Sequence, residues 1–126
     1  MHPLDKLIAL EKESREYGFY WPHAHMIIEQ AISECSEIKE ALDQKESPQR
    51  VQEEIGDLLH TAISLCIYAG FDVEETIIST EKKFSSRMSS LKEVALEKGL
   101  RTLQGQPTEY LLTLWGEVKR REKAEV

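Results

Sequence analysis

Two pairs of acids stand three positions apart in stretches that read as amphipathic helix: Glu34 with Glu37 in SECSEIKEAL, and Glu54 with Asp57 in QEEIGDLLHTAISLC. At about 100° per residue each pair lies on one side of its helix. Ala31, Cys35, Ile38 and Leu42 are expected to form the apolar face of the first helix. Val51, Ile55, Leu58, Ala62, Leu65 and Ala69 are expected to form that of the second, with the acids along the edge at the same offset in both. Four residues beyond Glu54 and Asp57 stand Leu58 and Thr61 rather than bases, so no simple surface ion pairing accounts for them. The turn QKESPQ joins the two helices and centres near Lys45 and Glu46. So short a loop makes an antiparallel αα-hairpin. Glu37 and Glu54 are then equally far from the turn, as are Glu34 and Asp57, and four carboxylates converge at one height. Like charges so placed repel and raise one another's pKa. A hard divalent cation removes that cost, and an all-oxygen donor set selects Mg²⁺ or Mn²⁺ over zinc. Either pair alone would suit a solvated helix edge; the matched positions favour a metal site.

Cations with a matching logic follow. Lys83 and Arg87 are four apart in TEKKFSSRMSS, at the border of an apolar face made by Val73, Ile77, Phe84, Met88 and Leu91. Trp115 and Lys119 repeat that spacing, and Arg50 lies one turn before Glu54. Singly, each reads as a surface cation whose stem covers apolar surface. Together they suit a clamp for phosphates beside a metal. The segment YGFYWPHAH holds Phe19, Tyr20, Trp21, His23 and His25 just ahead of the first acidic helix. Its aromatics, with Trp115, suit stacking on a nucleobase, and equally suit sealing the end of a bundle or a subunit contact. His23 and His25 lack the further ligands a zinc site needs. A di-iron bundle needs Glu-x-x-His twice, and the nearest match is a single Asp57-x-x-His60.

Five helices must position these groups. The first is expected over about Pro3 to Tyr17, before a break at Gly18 and Pro22. The second runs from about His23 to Gln44. The third, with Ser47 as N-cap and Pro48 at its first position, reaches about Ala69 before Gly70. Asp72 with Glu75 marks the start of a fourth helix that reaches about Lys98, ahead of Gly99. Thr108 is expected to cap a last amphipathic helix whose charged tail, KRREKAEV, frays. The fold class expected is therefore all-α: an antiparallel bundle of four main helices plus a C-terminal helix, built on 23–44 and 48–69, covered by 73–98 and completed by oligomerisation.

Composition bounds what such a bundle can do. A chain of 126 residues is expected to make one domain, over 1–126. Its net charge of −7 argues against a nucleic-acid binder, because phosphate affinity comes from clustered Lys and Arg. Cys35 and Cys66 form no CxxC and are expected as buried thiols. MHPLDKLIAL lacks the plan of a signal peptide, and the longest apolar stretch, Leu58 to Phe71, is too short and too polar to span a membrane. No membrane partner is expected, and the cytoplasm is the expected compartment.

Taken in order, these residues resemble the MazG-type, all-α nucleoside triphosphate pyrophosphohydrolase family. That family carries ExxE, a spacer, then ExxD; here Glu34-Cys-Ser-Glu37 is followed by Glu54-Ile-Gly-Asp57. EEIGDLL resembles the family's EELGDLL, KKFSSR its KF-x-x-R, and LWGEVKR its LW-x-x-x-K, so the likeness covers roughly Trp21 to Arg120. The resemblance implies hydrolysis of a nucleoside triphosphate between the α and β phosphates, giving monophosphate and pyrophosphate. It implies that Glu34, Glu37, Glu54 and Asp57 hold Mg²⁺ and that Lys83, Arg87 and Lys119, with less weight Arg50, meet phosphate oxygens. Trp21 and Trp115 are the candidates for the nucleobase. The metal would neutralise phosphate oxygens and activate water for in-line attack, with Glu37 or Glu54 orienting or deprotonating that water. Related all-α pyrophosphohydrolases acting on dUTP, dCTP or phosphoribosyl-ATP share this acid logic, and a non-enzymatic helical interaction module is the alternative of another class. Some family members carry two such domains in tandem, whereas one is expected here, so roles of the tandem forms are not carried over. A homodimer or higher homo-oligomer is expected, as in the family.

Overall fold

The computed structural model describes residues 2–125. They form five helices: α1 (Pro3–Tyr17), α2 (Ala24–Asp43), α3 (Pro48–Tyr68), α4 (Val73–Glu97) and α5 (Thr108–Ala124). No strand occurs among the described residues, so the fold is all-α. By internal contacts the chain forms two compact units, one running to Thr76 and the other beginning at Ile77.

The first unit is built on the α2–α3 hairpin. His23 Nδ1 accepts from the Met26 N–H at 3.3 Å to cap α2, and Ser47 Oγ accepts from the Arg50 N–H at 3.2 Å to cap α3, with Pro48 at its first turn. Between them Lys45 takes a left-handed φ of 53°, and the Glu46 N–H reaches back to the Ala41 carbonyl at 3.0 Å, which ends α2 and reverses the chain. The buried positions of α2 are Ile27, Glu34 and Ala41, with Ala31 and Ile38 half-buried between them. This alternation of three and four residues is the seam of paired helices. On α3, Glu54, Thr61 and Ser64 are buried, and Val51, Leu58 and Leu65 are half-buried.

That seam corrects the sequence reading. Glu34 and Glu54 lie inside the packed face, not at its edge, while Glu37 and Asp57 are exposed. Cys35, Leu42, Ile55, Ala62 and Ala69, expected on the apolar faces, are exposed, and Cys66 is only half-buried. The thiols are thus not buried: the hairpin packs on a face rotated by about one residue from the most apolar one.

Helix α1 ends at Gly18, whose φ of 106° lets its N–H and that of Phe19 return to the Arg15 and Ser14 carbonyls. Three contacts tie α1 and the following segment to α3. His60 Nε2 meets Glu11 Oε2 at 2.9 Å, the Tyr68 hydroxyl donates to the Pro22 carbonyl at 3.1 Å, and the Arg15 guanidinium lies 5.7 Å from the Tyr68 ring centre.

In the second unit, Val94 of α4 packs with Leu114 and Val118 of α5, and Leu91, Leu103 and Tyr110 lie against them. Asp72 Oδ2 caps α4 by accepting from the Glu75 N–H at 3.0 Å, just before the unit begins. The start of α5 differs from expectation: Thr108 is its first helical residue and Pro107 the N-cap, with no side-chain capping bond. Its tail also stays helical to Ala124 instead of fraying from Lys119. Arg121 anchors it by donating to Glu97 at 3.1 and 2.6 Å. Val126, the last residue of that tail, lies outside the described residues.

Candidate active site

The hairpin seam presents two buried carboxylates, each only half satisfied. Glu34, 5% exposed, accepts through Oε1 from Gln30 Nε2 at 3.0 Å, one turn back on α2. The same oxygen accepts from Thr61 Oγ1 of α3 at 2.8 Å. Glu54, also 5% exposed, takes the Arg50 Nη2 at 2.7 Å on Oε1. The second oxygen of each, Oε2, is buried with no hydrogen-bond partner. Unsatisfied buried acceptors are costly and rare, more so when charged.

Glu37 completes the cluster from the solvent side. The Glu54 carboxylate beside it raises its pKa above the ordinary 4.5, and desolvation and the negative charges of Glu34 and Asp57 act in the same direction. The four predicted acids therefore share one electrostatic environment, as the symmetry about the turn requires. Among the described residues no three His, Cys, Asp or Glu side chains are arranged so that they could hold a metal ion as they stand. The donors fit a hard cation in chemistry and in their two unpartnered oxygens.

Glu34 and Asp57 also line a cavity of about 710 Å³. Its walls are Leu7, Leu10, Glu11 and Ser14 of α1, Phe19, Tyr20, Trp21 and Pro22 of the connecting segment, Met26 and Gln30 of α2, and His60, Thr61 and Ser64 of α3. Carboxylates thus form one wall and an aromatic segment another, a size and lining suited to a small polar ligand with an apolar ring. Trp21, the expected base-stacking residue, is on this wall.

The remaining candidates apart from Arg50 lie in the second unit. Arg87 donates from Nε to Glu122 Oε2 at 2.8 Å and from Nη2 to Oε1 at 2.9 Å. Those bonds hold the Glu122 carboxyl below the usual range against partial desolvation, and the charges of Arg87, Lys83 and Lys119 lower it further. Of the three cations picked out by spacing, Arg87 is thus the one that meets this carboxylate directly. Trp115 packs against Phe84, with ring centres 6.1 Å apart. Arg50, in the first unit, is engaged by Glu54 and lies 3.8 Å from Glu53. Sequence reasoning passed over Gln30, Thr61 and Glu122. Gln30 stands at helical spacing from Glu34, but neither Thr61 nor Glu122 has a local signal, because each meets its partner across the fold.

The fold is thus an all-α one whose antiparallel hairpin brings the carboxylates of an ExxE and an ExxD motif together. The model of the MazG nucleotide pyrophosphohydrolase domain matches residues 23–91, more than half of the chain. The chain belongs to that family. It is 29% identical over 110 residues to the nucleoside triphosphate pyrophosphohydrolase/pyrophosphatase MazG of Thermotoga maritima, covering 87% of this chain and 41% of the relative. To the nucleoside triphosphate pyrophosphohydrolase of Escherichia coli strain K12 it is 25% identical over 114 residues, 90% of this chain and 43% of the relative. The chain spans about two fifths of the length of these curated relatives. No helix among the described residues is long and apolar enough to cross a membrane.

Proposed function

We propose that the protein hydrolyses a nucleoside triphosphate to the monophosphate and pyrophosphate with the aid of Mg²⁺ or Mn²⁺. The observation that carries this reading is the pair of buried, unpartnered oxygens, Glu34 Oε2 and Glu54 Oε2, in a four-carboxylate cluster beside an aromatic-walled cavity. Glu34, Glu37, Glu54 and Asp57 hold the cation, which when bound neutralises triphosphate oxygens and makes water more acidic. Gln30 and Thr61 fix the orientation of Glu34, and Arg50 fixes that of Glu54, so these two carboxylates are set before substrate arrives. Glu37 and Glu54 are the candidates to accept the proton of the attacking water; Glu37 has the solvent access, whereas Arg50 already holds Glu54. Lys83, Arg87 and Lys119 bind phosphate oxygens, and Trp21 stacks on the base. Names of the relatives support the substrate class, because both are nucleoside triphosphate pyrophosphohydrolases.

A screen of ribo- and deoxyribonucleoside triphosphates with pyrophosphate detection, with Mg²⁺ and with EDTA, tests the reading. Magnesium-dependent release of pyrophosphate is expected, with dUTP, dCTP and phosphoribosyl-ATP in the panel. Release of orthophosphate alone would refute cleavage between the α and β phosphates, and no turnover of any substrate would leave a helical interaction module as the better account. A homodimer is also proposed, because Ile28 and Ile32 on α2 and Ile55 and Leu59 on α3 are exposed. Sedimentation as a monomer at micromolar concentration would remove that claim.

A further inference from the structure

Arg87, assigned to phosphate binding, is held by a carboxylate that the proposed reaction does not use. We infer that Glu122 is a positioning residue for phosphate recognition: its carboxylate holds the Nε–Nη2 edge of Arg87 and so fixes which N–H groups the guanidinium offers to substrate. This rests on the reading that Arg87 meets phosphate oxygens.

A guanidinium carries five N–H donors in a rigid plane at the end of a flexible stem. Glu122 takes one from Nε at 2.8 Å and one from Nη2 at 2.9 Å, a bidentate pair that sets the plane and its rotation. Two hydrogens on Nη1 and one on Nη2 stay outside the pair. They make the end-on edge, which matches two oxygens of a phosphate. Arg87 can therefore bridge the carboxylate and a phosphate without either displacing the other.

The neighbouring Arg121 shows the contrast within the same unit. It spends its end-on edge on Glu97, through Nη1 at 3.1 Å and Nη2 at 2.6 Å, and its Nε on Glu117 at 3.3 Å. That arginine is consumed by structure. The pairing of Arg87 spares the edge that Arg121 uses up.

Access agrees with the geometry. Arg87 and Glu122 line a groove of about 220 Å³ together with Ser86, Ser89 and Ser90. Glu93 and Glu125 line it too, so what the groove offers a phosphate is the free edge of Arg87 and not a surplus of positive charge. A mere counter-ion standing in the phosphate's place would have the opposite consequence, since removing it would strengthen phosphate binding.

The sign of the effect is therefore the test. Glu122→Ala and Glu122→Gln are made in the wild type and in Arg87→Ala, and thermal melting checks that each folds. Steady-state pyrophosphate release is measured on the fastest triphosphate of the screen, and binding of inorganic pyrophosphate with Mg²⁺ is measured by calorimetry. Glu122→Ala is expected to lower kcat/KM and pyrophosphate affinity each about tenfold, since the guanidinium stays within reach but loses its orientation. Glu122→Gln, which keeps one acceptor, should fall between. In the Arg87→Ala background neither substitution should change either quantity further. Unchanged or tighter pyrophosphate binding in Glu122→Ala overturns the inference, and so does an equal loss in the Arg87→Ala background. If Arg87→Ala is impaired while Glu122→Ala is not, the inference alone fails. If Arg87→Ala turns over normally, the phosphate role of Arg87 fails and takes the inference with it.

Discussion

Thr61→Val removes one hydroxyl at nearly constant volume from the most critical hydrogen bond in the hairpin. Thr61 is 6% exposed and donates at 2.8 Å to Glu34, itself 5% exposed, from the opposite helix. Gln30 then remains as the protein donor to Oε1. Hydrogen bonds to charged groups contribute about 1.5–3 kcal/mol, so a loss of about 2 kcal/mol is expected. For a chain of this size that corresponds to a fall in Tm of roughly 8 °C. Urea unfolding in EDTA should show a lower midpoint with an unchanged slope. In a double-mutant cycle with Glu34→Gln, the coupling should be about 1–2 kcal/mol. Because Thr61 also orients a proposed metal ligand, apparent Mg²⁺ affinity should weaken by about tenfold or more. A stability change within about 0.5 kcal/mol, as for an ordinary surface substitution, would refute the reasoning. So would the same loss in the Glu34→Gln background.

Asp57→Asn should melt no lower than wild type in EDTA, since it removes one of four mutually repelling charges. Mg²⁺ at a hundredfold excess over Kd should stabilise the wild type by about 2.7 kcal/mol and the variant much less; equal shifts with activity retained would sink the metal site. Lys83→Ala, Arg87→Ala and Arg87→Lys should each lower kcat/KM by about tenfold or more while the magnesium-dependent melting shift persists, because an ammonium cannot reproduce a bidentate fork. Normal turnover in both alanine variants would return these residues to a solvated surface. Glu37 supplies a pH test. Its folded pKa is raised above 4.5, so the native state binds the extra proton. Metal-free stability should therefore fall as pH rises from 4.5 through the raised value, and Glu37→Gln should flatten that part of the profile. Glu97, Glu117 and Glu122 act oppositely: their folded values are lowered, by hydrogen bonds first from Arg121, Arg120 and Arg87 respectively. Their stabilisation is full above 4.5 and is lost as pH falls through those lowered values. A melting profile in EDTA that is identical for wild type and Glu37→Gln across the upper window would count against the cluster.

Local chemistry made the helices legible from sequence. Ser47 with Pro48, Asp72 and Gly18 start or stop helices through bonds that span only a few residues, and the structure forms them where expected. The pairing of acids across the hairpin was legible for a similar reason, since a short turn between two helices leaves one simple register. Where local rules are weak, the reading slipped. Thr108 has the type of a cap, yet it is the first helical residue of α5, after Pro107 and with no capping side chain.

Sequence by itself determined the five helices, the turn about which four acids are symmetric, and the motif order that places the chain in its family. It did not determine which face of each helix is inside. Counting apolar residues favoured Cys35, Leu42 and Ile55, but packing follows the three-and-four alternation through Ile27, Ala31, Glu34, Ile38 and Ala41, which buries an acid. Only the partner helix can make that choice tolerable, by bringing Thr61 to Glu34. The same holds for Glu122, an ordinary charged residue near a terminus until α4 presents Arg87 to it, 35 residues away in sequence. Burial and long-range pairing belong to the assembled fold, because their energies depend on neighbours that no local window contains.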